Sequence, residues 1–108
     1  MAKYILNSAV VTTPGYYYYR LVTIEEAREW LADGDWESTI GYPETAEAFE
    51  TVFGVKPEVN RRQIYMGPGD QALIFRLTKR LEDIGKKGKV GVREILKYLE
   101  IGLLEKLA

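Results

Sequence analysis

The alternation of apolar and polar positions divides the chain into short segments of two kinds. From Lys3 to Val11 most residues are β-formers, interrupted by Asn7 and Ser8, and the run stops at Thr12-Thr13-Pro14-Gly15, which predicts a first strand closed by turn chemistry. Tyr16 to Val22 is a second β-rich run. Thr23 then occupies an N-cap position with Glu26 three residues later, the pattern of a capping box, which predicts a helix running to about Ala32 and ending at Asp33-Gly34. A second helix is expected to start near Pro43, because proline suits the first helical position. Ala46, Phe49, Val52 and Phe53 then recur at helical spacing, and Gly54 supplies the stop.

Arg62 to Met66 and Gln71 to Lys79 read as two strands separated by Gly67-Pro68-Gly69-Asp70, and this predicts a hairpin in the middle of the sheet. Beyond Arg80 the chain turns polar and basic through Lys86, Lys87 and Lys89. Val92, Ile95, Leu96 and Leu99 then repeat with helical period before Gly102, and Leu103 to Leu107 is expected to be a closing strand. Strands and helices of this size in 108 residues predict one compact α/β domain spanning 1–108, built on a mixed sheet flanked by helices. Apart from four consecutive tyrosines there is neither internal repeat nor low-complexity tract.

Composition narrows the chemistry. A formal net charge of -1 offers duplex DNA no general attraction, so no DNA partner is expected, although a local basic cluster still suits a small anion. With neither cysteine nor histidine, thiol nucleophiles, disulfides and zinc-thiolate sites are excluded, and the commonest metal ligand and general acid are missing. No cofactor and no metal are expected. The apolar run at the N-terminus is far shorter than the roughly eighteen residues of a membrane span, so the expectation is a cytoplasmic protein with no membrane partner.

Four short motifs follow one another along the chain: ILNSA in the first strand, STIGYPETA before the second helix, VNRRQI at the start of the expected hairpin and KRLED after it. Their order and spacing, from about Tyr4 to Leu107, resemble the small viral ring nucleases that act as type III anti-CRISPR proteins, and their cellular relatives with a YddF-like conserved domain. The resemblance implies a homodimer holding a cyclic oligoadenylate second messenger, above all cyclic tetra-adenylate, across the subunit interface. It also implies metal-independent cleavage in which a ribose 2′-hydroxyl attacks the adjacent phosphate, the 5′-oxygen departs and a histidine is the general acid. That histidine belongs to a Gly-His-x-x-Thr motif, which here is Gly41-Tyr42-Pro43-Glu44-Thr45, with tyrosine in its place.

The resemblance assigns the remaining residues. Tyr42 takes the catalytic position, yet a tyrosine ordinarily titrates near 10, well above the near-neutral value that suits a general acid, and losing a matched acid typically costs roughly 10² to 10⁴ in rate. Stacking on the ligand or packing in the loop are its other readings. Asp83 falls where active members carry an assisting glutamate, with Glu82 one position earlier; otherwise it belongs to a solvated acidic turn. Arg61 and Arg80 match family arginines whose guanidinium groups can fork onto phosphate oxygens, the alternative being surface ion pairs. Asn7 matches a ligand-proximal asparagine, whereas Val10 stands where a second polar contact is expected. The amide groups of Glu44 and Thr45 at a helix start form an anion-binding feature, opposed by the missing N–H of Pro43 and the charge of Glu44. Tyr16 to Tyr19 alternate across a strand, so at most two face one ligand, and sheet packing is their simpler role.

Three functions remain. The first is a dimeric binder that blunts type III CRISPR signalling by sequestration or slow cleavage. The second is an active ring nuclease relying on Tyr42 or on positioning alone. The third is a protein-interaction module that keeps only the fold.

Overall fold

The computed structural model describes residues 2–7, 13–78 and 92–108. Among them the order is β1 (Lys3–Leu6), β2 (Tyr17–Leu21), α1 (Ile24–Leu31), β3 (Glu37–Ser38), α2 (Pro43–Phe53), β4 (Gln71–Leu77), α3 (Val92–Lys97) and β5 (Leu99–Lys106). The strands form one mixed sheet in the order β2-β5-β4-β1-β3. β1 runs parallel to both β3 and β4, while β5 is antiparallel to β4 and to β2. The chain is thus a single α/β domain with a mixed sheet, as its pattern predicts.

Local chemistry sets the helix ends. The Thr23 hydroxyl accepts the Glu26 N–H at 3.2 Å and the Glu26 carboxylate accepts the Thr23 N–H at 3.4 Å, completing the expected capping box. Pro43 opens α2, and Gly54 closes it in the left-handed conformation, with φ of 77° and its N–H on the Glu50 carbonyl at 2.7 Å.

The expected hairpin is not formed. Gly67 to Asp70 does turn, with the Asp70 N–H on the Gly67 carbonyl at 3.0 Å, but residues 62–66 carry no strand and β4 pairs with β1 and β5. The buried side chains of Ile64 and Met66 explain the difference. They lie on the sheet, packed with Leu6, Ala72, Ile74 and Leu104, so the segment crosses a face where a hairpin strand would extend an edge. The C-terminal strand also begins earlier than expected: Leu99 and Gly102 belong to β5, and the helix before it is six residues long.

The three helices among the described residues pack on one face. Ala27 and Leu31 of α1, Ala46, Ala48, Phe49 and Val52 of α2, and Ile95 of α3 meet Ile5, Leu73, Phe75 and Ile101 of the sheet. Phe49 is at the centre, with its ring centroid 4.7 Å from Phe53 and 5.1 Å from Phe75. The opposite face carries no helix among the described residues and is covered by Ile64, Met66 and the half-buried Tyr4, Tyr17 and Tyr19. Asp70 ties this layer to the N-terminal strand by accepting the Ala2 and Gly67 N–H groups, each at 2.8 Å.

Two outcomes are expected. Phe49→Ala, which empties the centre of the aromatic cluster, lowers unfolding free energy by about 3 to 5 kcal/mol, read from the urea midpoint. For Asp70, burial is the largest single influence and raises the carboxyl pKa, but the N–H donors of Ala2 and Gly67, with Lys106 nearby, outweigh it and hold the group below its ordinary value. Its folded pKa is therefore below the unfolded value of about 3.9, so the contribution is complete above that pH and fades as pH falls through the folded value. Asp70→Asn should destabilise the protein at pH 7, and the gap from wild type should narrow below about pH 4, measured by urea titrations across pH.

Candidate ligand site at the carboxyl end of the parallel strands

The two parallel pairings align β1, β3 and β4 in one direction, so the chain leaves all three at the same edge of the sheet. Open α/β sheets commonly bind ligands at such an edge. After β1 it continues into the half-buried Asn7, and after β3 into Thr39 to Thr45. β4 leads through Thr78 into residues 79–91, so Arg80, Glu82, Asp83 and the lysines at 86, 87 and 89 lie outside the described residues, as do Ser8 and Val10.

Hydrogen bonds fix the exit from β3. The Ile5 carbonyl accepts both the N–H and the hydroxyl of buried Thr39, each at 2.9 Å. The Ser38 hydroxyl donates to the Glu58 carbonyl at 2.7 Å, while the Asn60 side-chain amide donates to the Ser38 carbonyl at 3.2 Å and the Asn60 N–H to the Ile40 carbonyl at 2.8 Å. Residues 58–60 are thereby strapped along the exit, and Arg62 forms an ion pair with Glu37.

The strap delivers Arg61 to Gly41. A Cβ on Gly41 would stand 3.0 Å from the Arg61 Cγ and 3.2 Å from its Cβ and Cδ, so glycine provides the close approach here. The guanidinium carbon then sits 5.6 Å from the centroid of the Tyr42 ring, within the range of a cation–π contact. Tyr42 is the N-cap residue of α2 with extended backbone and no side-chain capping bond, and its ring is half exposed. Thr45 follows in the first turn, half-buried. Thus Tyr42 and Arg61 are in contact, Thr45 is beside them on α2, and Asn7 lies at the same edge.

Several features escaped the sequence reading. β3, at two residues, is too short to register as a strand, and the Ser38 and Asn60 bonds depend on segments twenty positions apart. The VNRRQI motif does contain Asn60, but gives no sign that its side chain braces the backbone. Among the described residues no group of three or more acidic side chains is placed to hold a metal ion, and no helix is long and apolar enough to cross a membrane.

A sequence model described as STIV B116-like matches residues 3–103, nearly the whole length over which these elements are built. The chain belongs to the STIV B116-like family. Its relatives include uncharacterized protein 26 of Sulfolobus islandicus filamentous virus, 37% identical over 103 residues that cover 92% of this chain and 83% of the relative. Another is the uncharacterized protein YddF of Bacillus subtilis, 36% identical over 77 residues covering 69% of this chain and 71% of that protein. The solved structure of B116 from Sulfolobus turreted icosahedral virus superposes with a TM-score of 0.79 over 97% of this chain and 99% of that one, at 19% identity, which shows a shared STIV B116-like fold.

If Gly41 is what admits Arg61, Gly41→Ala should displace the guanidinium from Tyr42. The expected sign in NMR spectra is loss of the ring-current shift on the Arg61 δ-methylene protons; an unchanged shift would show that the loop absorbs the extra carbon elsewhere.

Proposed function

We propose that the chain acts as a homodimer that binds a cyclic oligoadenylate, most readily cyclic tetra-adenylate, in the cytoplasm, and that it antagonises type III CRISPR signalling by sequestration or slow cleavage. The observation that carries this reading is the Arg61–Tyr42 pair, held by Gly41 and the Asn60 strap beside the first turn of α2. A guanidinium can fork onto phosphate oxygens, and the half-exposed phenol ring offers a face for an adenine. First-turn amide groups, which have no partner within the helix, add partial positive charge, which Glu44 partly offsets. Two such edges in a dimer would meet a ring of four phosphates symmetrically. Asn7, Thr45 and Arg80 supply further ligand contacts on this reading, and Asp83 stands where a carboxylate would assist any cleavage.

The same pair argues for binding over turnover. The Tyr42 ring lies against Arg61, an anchoring role that requires no proton transfer. Where cleavage occurs, alignment of the ribose hydroxyl with the phosphate would supply the acceleration.

The test is to mix purified protein with radiolabelled cyclic tetra-adenylate, following retention on native gels and linear product on denaturing gels. Expected results are retention with product forming slowly or not at all, at least about tenfold weaker binding for Arg61→Ala, and near-normal binding for Tyr42→Phe, which keeps the ring. Rapid multiple turnover lost in Tyr42→Phe would instead make Tyr42 the acid, and no retention by wild type would reject the reading.

A further inference from the structure

Arg76 stands on the sheet face that carries no helix among the described residues. Along β4, Leu73 and Phe75 belong to the helix-side core and Ala72 and Ile74 to the opposite layer, and Arg76 continues the second series. β1 ends at Leu6, paired with Ile74, so Arg76 lies two residues beyond it on the open face, bordering the place where Asn7 leaves the sheet.

Among the described residues the partner of Arg76 is Glu100, its register neighbour on β5, at 3.9 Å and with 55% and 33% of the two side chains exposed. That separation is too long for a hydrogen bond, and ion pairs this exposed hold weakly. Glu100 is better engaged elsewhere: the same carboxylate oxygen accepts the Tyr19 hydroxyl at 3.1 Å. Tyr19 reaches it by lying across Gly102, where any Cβ would come within 2.3 Å of its ring and hydroxyl. Burial raises the Tyr19 pKa and the Glu100 bond raises it further, so the hydroxyl stays a donor. The result is a cation at the ligand edge with most of its donors unengaged by the described residues, beside a carboxylate held in place from its other side.

We infer that Arg76 is a further phosphate-binding residue of the site described above, resting on Glu100 in the free protein and transferring to the ligand, with Glu100 as the competing anion that limits affinity. This rests on the proposed cyclic oligoadenylate reading. A phosphodiester accepts two parallel guanidinium N–H groups, whereas Glu100 offers one long contact, so the exchange favours the ligand. Glu100 and the phosphate compete for the one guanidinium, which gives Glu100 an effect opposite in sign to that of Arg76 and dependent on Arg76 being present.

The experiment titrates cyclic tetra-adenylate into wild type, Arg76→Gln, Glu100→Gln, the double variant and Arg61→Ala at several salt concentrations, with thermal melts to confirm folding. Arg76→Gln should weaken binding about tenfold and lower the slope of log affinity against log salt by about 1. Glu100→Gln keeps an acceptor for Tyr19 and should tighten binding about threefold, and the double variant should bind no more tightly than Arg76→Gln alone. Unchanged affinity and salt slope in Arg76→Gln, with Arg61→Ala still weakened, would overturn this inference and leave the proposed function standing. Equal tightening by Glu100→Gln with and without Arg76 would also overturn it, because the carboxylate would then act on the ligand alone. Absence of binding by wild type would reject both.

Discussion

The Ile5 carbonyl, bonded twice by Thr39 in a buried position, is the constraint from which the site follows. A buried carbonyl has two lone pairs to satisfy, and here one residue supplies both donors, ending the β1–β3 ladder after two paired positions. The chain must then turn, so α2 begins at a fixed place relative to the sheet. Ser38 and Asn60 use the same exit to hold the returning strap, and the approach of Arg61 to Gly41 depends on that strap. Each bond is ordinary in strength, yet together they position a cation beside a helix start through backbone contacts that leave its guanidinium on the surface.

A second constraint is the one-sided distribution of the described helices. With α1, α2 and α3 on one face, a loop and tyrosine rings are what cover the apolar residues of the other among the described residues. Such a layer accommodates a polar line that a helix-covered face would exclude, because Arg76, Glu100 and Tyr19 all retain access to solvent. The open face and the carboxyl edge meet at the end of β1, so both sets of polar groups border one region.

Local chemistry was legible where an element depends on its own residues. The Thr23–Glu26 box, Pro43 and Gly54 foretold α1 and α2 with little error, because capping and backbone preference act within a turn. Pairing was not legible: Gly67 to Asp70 turns as its composition suggests, but whether the preceding residues pair or cross the sheet depends on Leu6, Ile74 and Leu104, which are distant in sequence. Gly102 looked like a helix stop and is instead a strand position kept bare for Tyr19. For the site, the motif residues Tyr42 and Arg61 were legible as positions, while their mutual contact and the placement of Arg76 beside Glu100 depend on the strap and the register.

The tyrosine at position 42 has physical content beyond the absence of a histidine. At an N-cap it makes no capping bond, so helix stability does not account for it. Its ring does meet the Arg61 guanidinium, and restricting that long side chain before a ligand arrives reduces the conformational entropy lost on binding. An interaction that grips ground state and transition state equally improves affinity without raising the rate of chemistry. On the proposed reading, exchanging a proton donor for an anchor of this kind shifts the site from turnover toward retention, and retention is the property by which a protein acting by sequestration limits its ligand.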